Sequence, residues 1–279
     1  MSEPIVLPHP VFDVQRAAER ASFDFGWLRT NHSFSFADFY DPRNVNWGAL
    51  RVFNDDRVVG GKGFATHPHR DMEIVTYVLS GQLEHRDSLG SHGVVGPGGV
   101  QFMSAGTGIQ HSEFNHSATE ELHFLQMWVL PGKLGVTPQY GQMDFRPEER
   151  QNTWLLVASG QSGLSAPVTL TQDASLRVSR LSALRQAQGD MLRAQDDTLR
   201  AQGDTLRHTF APGRLGFFFV ASGAITAAAF DGSDVAVGTP AALGDGDAVR
   251  IAGVTRLEIS GSGEIVLWDV PRPPDGAND

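Results

Sequence analysis

Hydrophobic residues between positions 49 and 130 fall in short runs separated by turn-forming residues, without the period of 3.6 that an amphipathic helix requires. Short, evenly spaced runs of this kind are typical of strands in an antiparallel sandwich or barrel. The predicted strands are 50–53, 74–79, 94–95, 100–104, 109–114 and 122–130, and the predicted turns are 54–56, 80–81, 96–99 and 105–108. The pattern therefore predicts an all-β fold.

A polar stretch divides the chain in two. Residues 131–152 contain few hydrophobic positions and include Pro138 and Pro147, which indicates a link, and strand-like runs resume at Trp154. The length of 279 residues suits two domains of ordinary size. We predict an N-terminal domain at 1–135 and a C-terminal domain at 136–279.

One segment of the second half differs from its surroundings. Residues 184–207 read LRQAQGD, MLRAQDD, TLRAQGD, TLR, a near-exact seven-residue repeat. A coiled coil needs two apolar positions per heptad, but each repeat supplies only one, at Leu192, Leu199 and Leu206. Gly189 and Gly203 would each cost a helix roughly 1 kcal/mol relative to Ala. We predict a solvent-exposed loop, produced by local duplication and without a catalytic role.

Charge and composition exclude several classes of protein. The 22 Lys and Arg residues against 32 Asp and Glu give a net charge of −10, which does not indicate direct nucleic-acid binding. The absence of Cys excludes disulfides, thiolate metal ligands and a Cys nucleophile. Residues 1–14 lack the apolar core of a signal peptide, and the apolar run 215–230 is too short to span a membrane. We expect a cytoplasmic protein without membrane contact, and a monomer.

Two predicted strands carry pairs of metal-binding side chains. His67 and His69 are two residues apart, as are His111 and Glu113, so each pair lies on one face of its strand. Taken singly, such residues are usually solvated surface groups, but two pairs of this kind are hard to obtain by chance. Three nitrogens and one oxygen suit a first-row divalent metal with open coordination positions.

Spacing alone leaves other oxygen ligands open. Asp71 and Glu73 share the parity of the first histidine pair, and Asn115 shares that of His111. The remaining histidines, His85 among them, are expected to have structural roles or to contact the ligands rather than the metal.

The spacing of these residues also resembles a known family. Gly61-x5-His67-x-His69-x3-Glu73-x7-Gly81 resembles the first cupin motif, with one extra residue in its last gap. Gly106-x-Gly108-x2-His111-x3-Asn115 resembles the second, with Gly106 in place of the usual Pro. More closely, FATHPHRDMEIVTYVLSGQLEHRDS and FMSAGTGIQHSEFN resemble the pirin-like bicupins, in particular bacterial members described as quercetin 2,3-dioxygenases. The resemblance is dense over residues 20–160.

The resemblance implies two jelly-roll cupin domains, of which only the N-terminal one binds a metal. In this family the ligands correspond to His67, His69, His111 and Glu113, and Glu73 stands where other cupins have their carboxylate ligand. All histidines except His208 precede residue 124, which agrees with a metal-free second domain. The expected cofactor is one divalent transition metal, with Fe(II) as the first candidate; manganese, nickel, cobalt, copper and zinc also suit this donor set.

The resemblance further implies a metal-dependent dioxygenase that uses O2 to open a small aromatic substrate, a flavonol such as quercetin. The metal would lower the pKa of the substrate hydroxyl, and Glu113 or Glu73 would act as general base. We expect an apolar cavity in the first barrel, with Met103, Phe114, Phe124 and Met127 as candidate lining residues.

Two alternatives remain open. One is an iron-containing, redox-responsive regulatory protein that acts through a protein partner. The other is a dioxygenase for a different enolisable small molecule.

Overall fold

The computed structural model describes residues 10–182 and 205–272, and in this part of the chain nearly all regular structure is β. The all-β prediction is therefore confirmed. Two short 3₁₀ helices, Ala17–Glu19 and Pro147–Arg150, complete the regular elements. No helix among the described residues has the length and hydrophobicity needed to cross a membrane. The strands are β1 (Val11–Gln15), β2 (Ala21–Asp24), β3 (Leu28–His32), β4 (Leu50–Val58), β5 (Gly63–His69), β6 (Glu73–Ser80), β7 (Leu83–Asp87), β8 (His92–Val95), β9 (Val100–Ser104), β10 (Ile109–Asn115), β11 (Leu122–Val129), β12 (Gln139–Met143), β13 (Leu155–Ser159), β14 (Val168–Thr169), β15 (Ser175–Leu181), β16 (Leu206–Thr209), β17 (Leu215–Phe230), β18 (Ala241–Leu243), β19 (Ala248–Ala252) and β20 (Arg256–Val270).

The described residues form two compact units, which we call unit N and unit C. Unit N comprises 18–147, 156–176 and 270–272, and unit C comprises 10–17, 148–155, 177–182 and 205–269. This division differs from the predicted boundary after residue 135. The strand β1 belongs to unit C because it pairs with β19, and residues 136–147 belong to unit N because β12 pairs with β9.

Two antiparallel sheets build unit N. One has the strand order β12-β9-β6-β11-β4-β3-β2, and the other has the order β5-β10-β7-β8. Apolar side chains from both sheets pack together in a buried cluster of Leu28, Val58, Val78, Leu83, Val95, Leu122 and Phe124. A second cluster joins Ile74, Met103, Ala105 and Ile109. Strands that alternate buried and exposed residues therefore turn one side of each sheet toward a shared interior.

Two sequence-based expectations about unit N were wrong. The turn predicted at 54–56 is the middle of β4, which pairs with β3 and β11 along this stretch. Asp55 is tolerated at this partly buried position because it has partners: it accepts a hydrogen bond from His123 Nε2 at 2.6 Å and contacts Arg20. The polar link at 131–152 contains the strand β12.

Unit C contains a sheet with the order β1-β19-β17-β20, to which β16 adds at β20 and β18 at β17. Its single described histidine, His208, faces Asp269 at 3.1 Å, and no group of three potential metal ligands occurs among the described residues of this unit. The loop predicted at 184–207 lies outside the described residues up to 204. Its last two residues are not loop, because Leu206 and Arg207 begin β16 and pair with Ile259 and Glu258.

Candidate metal centre

Three neighbouring strands of the smaller sheet carry the candidate site. The strand β10 lies between β5 and β7, and His111 is opposite His67 on one side and Asp87 on the other. Glu113 is opposite His85 on β7. Burial alternates along β10, so that His111 and Glu113 face the interior while Phe114 lies on the outer face. The pairing register thus brings together residues that are far apart in sequence.

The turn before β10 depends on glycine. Gly106 has φ of +45°, and a Cβ atom there would collide with the carbonyl oxygen of Val136. Neither Pro nor another side chain fits this position, which is where the common cupin motif has Pro.

The three predicted histidine ligands converge. The ring centroids of His67, His69 and His111 lie 4.5 to 4.9 Å apart, and one nitrogen from each lies within 4.8 Å of the others. The Nε2 atoms of His67 and His111 are 3.0 Å apart. His69 Nε2 is buried and has no hydrogen-bond partner. A buried polar atom without a partner destabilises the folded protein, and a metal ion bound to this nitrogen would remove that cost.

The protonation of these rings suits a metal. His67 Nδ1 lies 2.8 Å from the carbonyl oxygen of Ala65, which can only accept, so Nδ1 carries the proton and Nε2 keeps its lone pair. Burial, and then the neighbouring His67, lower the pKa of His69 to about 4. Burial, and then the other histidines, lower the pKa of His111 to about 2. Neutral imidazole is the form that binds metal ions.

The carboxylate of Glu113 is buried and held by two amides. Gln101 Nε2 donates to Oε1, and Gln126 Nε2 donates to Oε2 at 2.9 Å. Thr76 Oγ1 in turn donates to Gln126 Oε1 at 2.7 Å. Burial, and then the charge of Asp56, raise the pKa of Glu113 to about 8 although both amide bonds favour the ionised form. Glu113 groups with His85 and His111, whereas His67, His69 and His111 form the other group, so His111 is common to both.

The other oxygen ligands that spacing left open are engaged elsewhere. Glu73 is fully buried, and its carboxylate accepts the backbone N–H groups of Thr171 at 2.7 Å and Gln172 at 3.1 Å. Asp71 accepts the N–H of Gly135, and Asn115 donates to the carbonyls of Val58 and Glu120. Neither Glu73 nor Asp71 belongs to either group of potential ligands. A ligand or base role for Glu73 stays a prediction.

Sequence reasoning missed two residues beside the site. His85 is fully buried, with Nδ1 3.4 Å from His111 Nδ1 and Nε2 3.0 Å from Asp87 Oδ2. Tyr140 stacks on the His85 ring at a centroid distance of 4.0 Å and an interplanar angle of 11°. The spacing His85-x-Asp87 has the same period of two as the other pairs and was the available signal. Tyr140 lies in the segment 131–152, which the sequence predicts to be a link between domains.

Comparison with known proteins identifies the family. The Pirin family model matches residues 12–129. The putative quercetin 2,3-dioxygenase of Mycobacterium bovis is 51% identical over 170 residues, which are 61% of this chain and 70% of that protein. The chain belongs to the pirin family. Another relative, the quercetin 2,3-dioxygenase of Escherichia coli K12, is 53% identical over 132 residues, 47% of this chain and 57% of that protein.

A solved pirin structure extends the likeness over both halves. The bacterial pirin YhhW from E. coli in complex with nickel(II) superimposes with a TM-score of 0.75 at 35% identity, covering 94% of this chain and all of that chain (100%). The resemblance to pirin-like bicupins and the prediction of an all-β, two-cupin fold are confirmed.

Proposed function

We propose that this protein is a metal-dependent dioxygenase that uses O2 to open a flavonol such as quercetin. The observation that carries the proposal is the convergence of three imidazoles, His67, His69 and His111, of which His69 and His111 are neutral, next to the buried carboxylate of Glu113. The relatives named quercetin 2,3-dioxygenase support the enzyme class, and the nickel complex of YhhW supports a divalent metal.

His67, His69, His111 and Glu113 would hold one divalent transition metal, with Fe(II) the first candidate and nickel, manganese, cobalt, copper or zinc as alternatives. Three features of the donor set fit such an ion: the lone pair of His67 Nε2, the unpartnered His69 Nε2 and the neutral state of His69 and His111. When bound, the metal supplies a Lewis acid that lowers the pKa of a coordinated hydroxyl, and open positions for substrate and O2.

The protein contributes a general base and aromatic side chains beside the histidines. Glu113, once released from the metal, would take the proton of the substrate hydroxyl, and the amides of Gln101 and Gln126 hold its carboxylate in place for that transfer. Trp128 meets the His69 ring edge to face at 4.9 Å, and Phe36 meets Trp128 in the same way at 5.2 Å. We infer that an aromatic substrate lies on this side of the histidines.

The interior beside Glu113 differs from the apolar cavity expected from sequence. The buried side chains there are polar: Asp56, Thr76, Gln101 and Gln126. Of the four proposed lining residues, Met103 and Phe124 belong to packed clusters, Met127 is fully buried and Phe114 lies on the outer face. These four polar side chains support the carboxylate of Glu113 rather than the substrate.

The test is metal content of the purified protein, followed by quercetin consumption under O2. We expect about one metal ion per chain in the wild type, and loss of both metal and turnover in His67→Ala and Glu113→Ala. His92→Ala is the matched control, because His92 is exposed on β8 and belongs to neither ligand group. No metal in the wild type after reconstitution would refute the centre. Metal without turnover would refute flavonol cleavage and favour the regulatory protein or another enolisable substrate.

A further inference from the structure

We propose that His85 is a positioning residue, which fixes the tautomer and orientation of the metal ligand His111 by accepting a hydrogen bond from its Nδ1–H. This inference rests on the proposed metal site and deepens it. Ligand histidines commonly need such a partner on the nitrogen that does not face the metal.

The carboxylate of Asp87 fixes the proton on His85, and the side chains of both residues are fully buried. Asp87 Oδ1 accepts the backbone N–H groups of Leu89 at 2.9 Å and Ser91 at 3.0 Å, which holds the carboxylate in place. Its Oδ2 lies 3.0 Å from His85 Nε2. Because a carboxylate accepts, His85 Nε2 carries the proton and His85 Nδ1 presents a lone pair.

That lone pair faces His111. The two Nδ1 atoms are 3.4 Å apart, so the proton between them belongs to His111. His111 then keeps a lone pair on Nε2, the atom that lies 3.0 Å from His67 Nε2. The stacked ring of Tyr140 holds the plane of His85, which sets the direction of its lone pair.

The tautomer of His67, the histidine that faces His111 Nε2, is fixed independently of His85. The Ala65 carbonyl oxygen holds the proton of His67 on Nδ1 and so directs the lone pair of Nε2 inward. Two separately fixed imidazoles thus turn lone pairs toward each other at 3.0 Å. This arrangement is repulsive unless a proton or a metal ion lies between them. Asp87 and His85 thus direct the lone pair of His111 Nε2 toward the place where a metal would bind.

The competing interpretation is that His85 itself is a ligand, since it groups with His111 and Glu113. Two substitutions separate these roles. His85→Asn places Oδ1 at the branch position of Nδ1, so it keeps an acceptor for His111 but loses the ring. His85→Phe keeps a ring to stack on Tyr140 but has no acceptor.

The experiment measures the affinity of the purified protein for Ni(II), without substrate, in the wild type and both variants. We expect His85→Phe to bind Ni(II) about 10- to 100-fold more weakly, and His85→Asn to recover most of the loss. His92→Phe is the control and is expected to match the wild type. In the Zn(II)-loaded protein, ¹⁵N NMR of the histidine side chains should show a proton on His111 Nδ1 in the wild type and in His85→Asn.

Three outcomes would overturn the proposal. His85→Phe could bind Ni(II) as tightly as the wild type; both variants could lose affinity equally, which would make His85 a ligand or a packing residue; or the wild type could carry no proton on His111 Nδ1. Because affinity and tautomer are measured without substrate, a wild type that binds Ni(II) but does not consume quercetin would refute the proposed reaction and leave these readouts intact. A wild type that binds no metal would refute both proposals.

Discussion

Single buried residues of unit N set its response to pH, and His32 is the clearest case. Its ring lies on β3 against Phe23 at 5.2 Å and Phe36 at 5.3 Å, and it is 6% exposed. Burial, and then the charge of Arg20, lower the pKa of His32 to about 4. The folded protein therefore keeps this ring neutral at a pH where the unfolded chain protonates it. The contribution of the neutral His32 ring to the free energy of unfolding is complete above about pH 6.5, the pKa of histidine in the unfolded chain. This contribution is lost as the pH falls toward 4.

Replacing this ring should flatten the acid side of the stability profile. In the wild type, protonation of His32 in the unfolded chain lowers the free energy of unfolding by about 2–3 kcal/mol between pH 7 and 4.5. We expect His32→Phe to remove this part of the change, measured by urea unfolding at the two pH values. His92→Phe, at an exposed position, should keep the wild-type profile. An unchanged difference in His32→Phe would show that another group controls the acid response.

At the scale of elements, Glu73 connects the start of β6 to residues 171 and 172. Its buried carboxylate accepts two backbone N–H groups, which have no other hydrogen-bond partner among the described residues. We expect Glu73→Ala to lower the free energy of unfolding by about 1–3 kcal/mol, because it removes the acceptor of two partly buried backbone N–H groups. Glu73→Gln keeps one acceptor oxygen and should lose less. Thermal or urea unfolding measures this effect.

The same variants address the open role of Glu73 at the metal. If its function is the contact with residues 171 and 172, both variants retain the wild-type amount of metal per chain. Loss of metal with unchanged stability would instead make Glu73 the carboxylate ligand, as in other cupins. Glu113→Ala, measured alongside, provides the expected behaviour of a ligand.

The elements that the sequence predicted well are those with an apolar face. The run 100–104 coincides with β9, and 109–114 falls one residue short of β10. Period-two spacing also placed His67 with His69 and His111 with Glu113. It failed where buried strands are polar: Asn54 to Asp56 resemble a turn, but they lie inside β4, where Asp55 contacts His123 and Arg20. His85 and Tyr140 were missed for the same reason, because their roles depend on cross-strand neighbours that spacing along one strand does not reveal.

At the scale of the whole molecule, each unit is assembled from separate stretches of the chain. The strand β1 pairs with β19 across more than 200 residues, and the clusters of potential metal ligands lie within 67–113 of unit N. Unit C has one described histidine, which faces Asp269. The distribution of histidines along the sequence therefore indicates which unit contains the candidate metal centre, although the units are not simple halves.

This organisation gives a prediction for the seven-residue repeat. Residues 184–204 lie outside the described part of the chain, so the prediction rests on the sequence and on the flanking strands. The repeat contains no histidine, and β16 begins only at Leu206, where it pairs with β20 of unit C. Deletion of 185–205 should therefore leave the metal content per chain and the Ni(II) affinity at wild-type values. Extending the deletion to residue 209 removes β16 and should lower the midpoint of thermal unfolding. Loss of metal in the shorter deletion, with its unfolding midpoint unchanged, would show that the repeat acts on the metal centre of unit N.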